Sequence, residues 1–165
     1  MNPDGHDPQT VIPGESFAIS MEASLHPDKT RFVLINWQDR HGQGEIFVIG
    51  VDGSALEQLT DHKGQERFPQ WSPDGQHIAF LRFSPSFGPS EIFIIDADGR
   101  NLKQLTENPD TELSPHWSPD GRSLVFYNED VSGTDEILGT IFTINIDGTN
   151  YFNTGQQGVP EGWLN

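Results

Sequence analysis

The chain has 165 residues, with 25 acidic against 9 basic side chains for a formal net charge of −16, and it contains no cysteine. That length suits a single compact domain, while the charge disfavours nucleic acid and anionic membrane surfaces, which need cationic neutralisation of phosphate. The missing thiols exclude disulfide frameworks and thiolate metal sites, and no apolar run reaches the ~18 residues of a membrane span.

Residues 1–14 are polar, with three prolines and two glycines, and read as a disordered leader. The start has neither a basic region nor a hydrophobic core, so it is not a secretory signal peptide. Ser16 to Ser20 alternates apolar and small residues and predicts a strand, either an outer edge or an extension of the first inner strand. From there a unit repeats. Trp71-Ser72-Pro73-Asp74-Gly75 returns 46 positions later as Trp117-Ser118-Pro119-Asp120-Gly121, and Leu25-His26-Pro27-Asp28-Lys29 is a weaker copy 46 positions earlier. Proline presets φ at the second turn position, Asp bonds the local backbone, and Gly takes a positive φ without steric cost. Lys29 at the glycine position predicts a departure from that geometry, since a left-handed lysine costs ~1 kcal/mol.

β-Branched and aromatic runs follow each turn: Arg31-Phe32-Val33-Leu34-Ile35, His77-Ile78-Ala79-Phe80-Leu81 and Ser123-Leu124-Val125-Phe126-Tyr127. Such short runs between turn residues predict strands. A further strand recurs as Glu45 to Ile49, Glu91 to Ile95 and Thr140 to Ile144, the last copy displaced by three extra residues placed in the loop Asn128 to Gly139. Asp52-Gly53, Asp98-Gly99 and Asp147-Gly148 then predict hairpins, leading to fourth strands over Leu56–Thr60, Leu102–Thr106 and, weakly, Tyr151–Thr154. No segment carries an apolar helical stripe. The fold expected is therefore all-β, a partial β-propeller of about three four-stranded antiparallel blades, over about 23–60, 68–106 and 114–154 within 15–158. Residues 159–165, with Pro160 and Trp163, read as the start of a further blade or a donated inner strand. Propellers typically have 4–8 blades. Either the chain is a piece of a longer propeller, or two chains close a six-bladed ring as a homo-oligomer.

The succession W-S-P-D-G, apolar strand, I-F-x-I-x-x-D-G and L-x-x-L-T resembles the TolB-like repeat, a relative of WD-type propeller repeats, over roughly Ala23 to Thr154. The resemblance implies a non-enzymatic scaffold that binds a protein or peptide, in a periplasmic or extracellular setting, with no cofactor. The alternative it implies is the propeller portion of a prolyl-oligopeptidase-type serine peptidase lacking its catalytic domain. It also implies a role for Glu66 and Glu112, three residues before the repeat's proline, where such repeats often carry an acid. Ser20 holds that place in the first copy. An acidic ring at the channel mouth would bind a cation or a basic peptide; the competing expectation is that both carboxylates accept bonds from a neighbouring blade. His116 shares its repeat position with Gln70, and both are expected along the channel wall.

Other patterns carry less. Gly14-Glu15-Ser16-Phe17-Ala18 lacks the second glycine and the following helix of a nucleophile elbow. The Asp-Gly turns lack the ligand series of a calcium loop. The six histidines show no metal-binding spacing, and Trp71 and Trp117 read as packing between blades rather than a ligand platform.

Overall fold

The structure is a computed structural model and describes residues 19–37, 44–84, 88–129 and 139–159. The leader over 1–14, the segment Gly14–Ala18, most of the inserted loop and the stretch from Pro160 lie outside the described residues.

The first sheet is β1 (Ile19–Leu25), β2 (Arg31–Trp37), β3 (Gly44–Gly50) and β4 (Glu57–Gln58); the second is β5 (Gln65–Trp71), β6 (His77–Phe83), β7 (Ser90–Asp96) and β8 (Lys103–Gln104). The third is β9 (Thr111–Trp117), β10 (Ser123–Glu129), β11 (Thr140–Asn145) and β12 (Phe152–Gln157). Within each sheet sequential strands are antiparallel neighbours. The protein is thus all-β, and the three sheets form an open arc of propeller blades. The first strand extends back to Ile19, so the described end of the Ser16–Ser20 segment lengthens the inner strand. The fourth strands β4 and β8 are only two residues long, because a threonine takes over: the Ile46 amide donates to Thr60 Oγ1 and the Ile92 amide to Thr106 Oγ1, both at 2.9 Å.

The repeated turns share one geometry. Gly75 and Gly121 have φ of 70° and 69°, and each amide bonds back to the serine carbonyl at 2.9 Å. Ser72 and Ser118 donate to Asp74 and Asp120 at 2.6 Å. The departure expected at Lys29 does not occur: its φ is 63°, and its amide donates to the His26 carbonyl at 2.8 Å. Neighbouring packing overrides the steric cost, since His26 of this turn reaches the second sheet. Its Nε2 lies 3.2 Å from the Gly75 carbonyl, and its ring meets Trp71 edge-on at 4.6 Å. A Cβ on Gly75 would stand 2.2 Å from that same Nε2. At the Asp-Gly hairpins, Asp52 and Asp147 accept the amides of Ser54 and Thr149 at 2.9 and 2.8 Å, so these carboxylates hold turns.

Proline shapes the first strands. Pro69 and Pro115 cannot donate to a ladder, and the residues before them, Phe68 and Ser114, adopt φ of 54° and 49° where the pairing register shifts. These are bulges, a usual place for a strand proline.

The core lies between sheets. Val33, Ile35, Ile46 and Val48 of the first sheet pack with Trp71, Ile78, Phe80 and Ile95 of the second. Ala79, Leu81, Ile92 and Ile94 on the second sheet pack with Leu124, Phe126 and Ile144 of the third. Each fully buried large apolar side chain is worth about 1.5–3 kcal/mol. Trp71 is 6% exposed between the first two sheets, as expected for a packing tryptophan. Trp117 is half-buried and donates its indole N–H to the Gln70 carbonyl at 3.1 Å. Trp71→Ala should therefore cost about 3–5 kcal/mol and Trp117→Ala less, as read from urea unfolding midpoints; equal losses would contradict this order of burial.

Candidate binding site at the blade junctions

Glu66 is the second residue of β5 and Glu112 the second of β9, and both are fully buried at 0% exposure. Their surroundings come from equivalent places in the repeat. Each acid meets the threonine-bearing end of the preceding sheet, and each is paired across its own sheet with the sixth residue of the next strand. That residue is Arg82 opposite Glu66 and Asn128 opposite Glu112.

At the first junction the charges balance. Arg82 donates to Glu66 Oε1 through Nε at 3.0 Å and Nη2 at 2.6 Å. Thr60 of the first sheet donates to Glu66 Oε2 in a short bond. The guanidinium lies over Phe93 and Phe80, 4.3 and 5.6 Å from their ring centres. Glu45, the neighbouring acid from β3, accepts the His62 amide at 3.0 Å and lies 3.0 Å from Thr60 Oγ1. Burial pushes its pKa up to about 7, with the charge of Glu66 adding to the rise. One threonine hydroxyl has a single proton, so it bonds both acids only when Glu45 keeps its own.

The second junction is built alike but without the arginine. Asn108 stands where His62 stood; its side chain donates to Glu112 Oε1 at 2.5 Å and its amide to Glu91 at 3.1 Å. Asn128 donates to Asp110 at 3.3 Å and to the Tyr151 hydroxyl at 3.2 Å. Among the described residues, Glu112 Oε2, Glu91 Oε2 and Asn128 Oδ1 are shut off from solvent and accept no bond from any other donor, while a proton held by Glu112 is shared with Glu91. Burial pushes Glu112 up to about 8; Asn108 opposes the rise and the nearby Glu91 charge reinforces it. Beside the junction a cavity of about 380 Å³ is lined by Thr106, Asn108, Asp110, Phe142 and Tyr151 among others. Another, of about 300 Å³, lies by His62, Arg82 and Glu91.

Gln70 and His116 occupy matching ladder positions opposite Ala79 and Val125, both half-buried, four residues beyond Glu66 and Glu112 on the same strands. Burial lowers the His116 pKa. Ser20, in β1, holds the matching place in the first sheet. Glu45, Glu91, Thr60, Thr106, Arg82 and Asn128 were not singled out in the sequence. Their signal was available, since each pair is 46 positions apart. Among the described residues no group of three His, Cys, Asp or Glu is arranged to hold a metal ion, and no helix is long and apolar enough to cross a membrane.

The blades agree with a family comparison: residues 1–159 match the model of the TolB beta propeller domain. The chain belongs to the TolB β-propeller family. It is 36% identical over 63 residues to dipeptidyl-peptidase 5 of Porphyromonas gingivalis, a match taking in 36% of this chain and 9% of that protein. It is 29% identical over 76 residues to the Tol-Pal system protein TolB of Alcanivorax borkumensis, covering 46% of this chain and 17% of that protein. Among solved structures it is similar to a TolB protein of Agrobacterium tumefaciens, with a TM-score of 0.68, 24% identity, and coverage of 85% of this chain and 50% of that one. The matched region is thus a small part of the curated relatives it matches and about half of that solved chain.

Two outcomes follow from the junctions. Arg82→Met should cost about 3–5 kcal/mol, because it leaves the Glu66 charge buried and uncompensated; a loss below 1 kcal/mol in urea unfolding would show Glu66 to be otherwise neutralised. For Glu112 the folded pKa, about 8, lies above the ordinary 4.5. Its protonated form therefore favours folding, with the contribution complete below pH 4.5 and lost as pH rises towards 8. Glu112→Gln should flatten the fall in unfolding midpoint across that window, and an unchanged slope would contradict the burial argument.

Proposed function

We propose that this chain is part of a non-enzymatic TolB-family propeller scaffold of the cell envelope that binds a basic protein or peptide segment. The observation that carries this reading is the gathering of Glu91, Glu112, Asp110 and Asn108 at one blade junction beside a cavity, on a chain of net charge −16. Loops and strand ends held on rigid sheets commonly carry binding, and an acidic concave surface attracts cationic partners. The Tol-Pal name of one relative supports a partner-binding role. In this reading three further blades, from more polypeptide or from a second copy, complete the ring and protect the open sheet faces.

A second reading takes the blades as the propeller portion of a serine peptidase, and the 36% identity with dipeptidyl-peptidase 5 favours it. Peptide binding, rather than hydrolysis, tests the scaffold reading, since a propeller portion lacking its catalytic domain would not hydrolyse substrate either. The scaffold reading expects a lysine- and arginine-rich synthetic peptide to bind in fluorescence anisotropy and to weaken as salt rises, without hydrolysis. Cleavage of a dipeptidyl or aminoacyl substrate by the purified chain would overturn it, as would equal affinity for an uncharged peptide. Light scattering should give the mass of two copies if the chain closes its own ring.

A further inference from the structure

The two junctions are copies of one design with a single charge exchanged. In the second sheet the Phe80–Phe93 pair, 5.8 Å apart at 22°, supports the Arg82 guanidinium. In the third sheet the matching pair is Phe126–Phe142, 5.9 Å apart at 19°. The acid is conserved between copies, as Glu66 and Glu112, and so is its acidic neighbour, as Glu45 and Glu91. Asn128, 5% exposed, stands at the arginine's position and carries no charge. Among the described residues, no cation pairs with Glu112 at the second junction, and Asn108 supplies the bond to Glu112 where Thr60 supplies one to Glu66. Three buried oxygens there, Glu112 Oε2, Glu91 Oε2 and Asn128 Oδ1, accept no bond from any other donor group of the described residues, and the two carboxyls are left to share a proton between themselves.

We propose that the junction formed by Glu112, Glu91 and Asn128 binds the guanidinium of an arginine side chain presented by a partner polypeptide. This deepens the peptide-binding reading and rests on it for the source of the arginine. Beside the junction lies the cavity of about 380 Å³, which Glu112, Glu91 and Asn128 do not themselves line but whose lining residues Asn108 and Asp110 bond directly to Glu112 and Asn128. Tyr151 is 45% exposed and lines the same cavity. Its ring lies 5.2 Å from Phe142, and burial raises its hydroxyl pKa, opposed by the Asn128 bond and reinforced by the acidic groups of Glu112, Asp110 and Glu91. Carboxylates with aromatic faces beside them suit a planar guanidinium better than an ammonium, since the fork takes two carboxylate bonds while its plane stacks. The arginine of the second sheet shows both contacts. A bound guanidinium takes over the role of the proton on Glu112, so binding releases that proton and tightens as pH rises until Glu112 is ionised.

The test uses the full chain and two probes, a short N-acetylated peptide with one arginine and the same peptide with neutral citrulline in its place. Titration calorimetry above the pH at which Glu112 ionises should show the arginine peptide binding at least about tenfold more tightly. Asn128→Arg supplies the missing cation from within. It should abolish arginine-peptide binding and raise the melting temperature, as an intramolecular pair like Arg82–Glu66 forms. Glu112→Gln should also abolish binding while keeping the side-chain shape. Equal affinity for the citrulline peptide, or undiminished binding by folded Asn128→Arg or Glu112→Gln protein, would overturn the proposal. If longer basic peptides still bind the acidic face under those conditions, the general reading survives and the arginine site falls. If the single-arginine peptide binds with the expected dependence while protein partners and longer peptides do not, the arginine site stands and the scaffold reading falls.

Discussion

Each blade is a sheet with apolar side chains on faces that only another blade can cover. Val33, Ile35, Ile46 and Val48 have no core of their own within the first sheet; they are buried because Trp71, Ile78, Phe80 and Ile95 lie against them. The same dependence passes from the second sheet to the third. A smaller cluster of Leu34, Phe47 and Ile49 is buried on the first sheet itself, but the two larger clusters each need residues of two sheets, so most of the stability is a property of neighbours. This also explains why a costly left-handed lysine is tolerated at position 29. Its turn delivers His26 to the Trp71 edge and the Gly75 carbonyl, and the interface gains what the single residue loses.

The polar junctions are subject to the same geometry with a different constraint. Wherever two sheets meet, the threonine-bearing end of one meets a buried glutamate of the next. Burying a carboxylate without compensation is expensive. The first junction meets that cost with Arg82, while the second has no such cation among the described residues, and burial keeps Glu112 protonated above the ordinary carboxylate range. Two places of common architecture therefore differ in chemistry. The first is a closed internal ion pair, and the second has acceptor oxygens beside an open cavity. In a repeat protein such a difference is informative, because the fold requires both sites to have the same shape but not the same charge.

The repeat period, the W-S-P-D-G turns and the Asp-Gly hairpins were legible because each rests on local backbone chemistry that a few adjacent residues dictate. The apolar strands were legible for a similar reason, since alternation and β-branching act within one segment. The bulges at Phe68 and Ser114 could have been anticipated from the prolines that follow them. The brevity of β4 and β8 was less accessible, because it depends on the Thr60 and Thr106 hydroxyls bonding amides on another strand. For Glu66 and Glu112 the resemblance leaves open an acidic ring or bonds accepted from a neighbouring blade; both side chains are buried and take a bond from the preceding sheet's end, and among the described residues only Glu66 has a guanidinium.

The residues themselves determined an all-β chain of three successive blades, because turn geometry and strand pattern are written at short range and repeated. Only the tertiary structure decided which acid is paired with a cation and which shares a proton with another acid. That distinction depends on residues from two sheets: Thr60 with Glu66 and Arg82 at one junction, and Asn108 with Glu112 and Asn128 at the other. Charge balance in a buried site is set by what folding brings within a few ångströms, and no single stretch of the chain contains it.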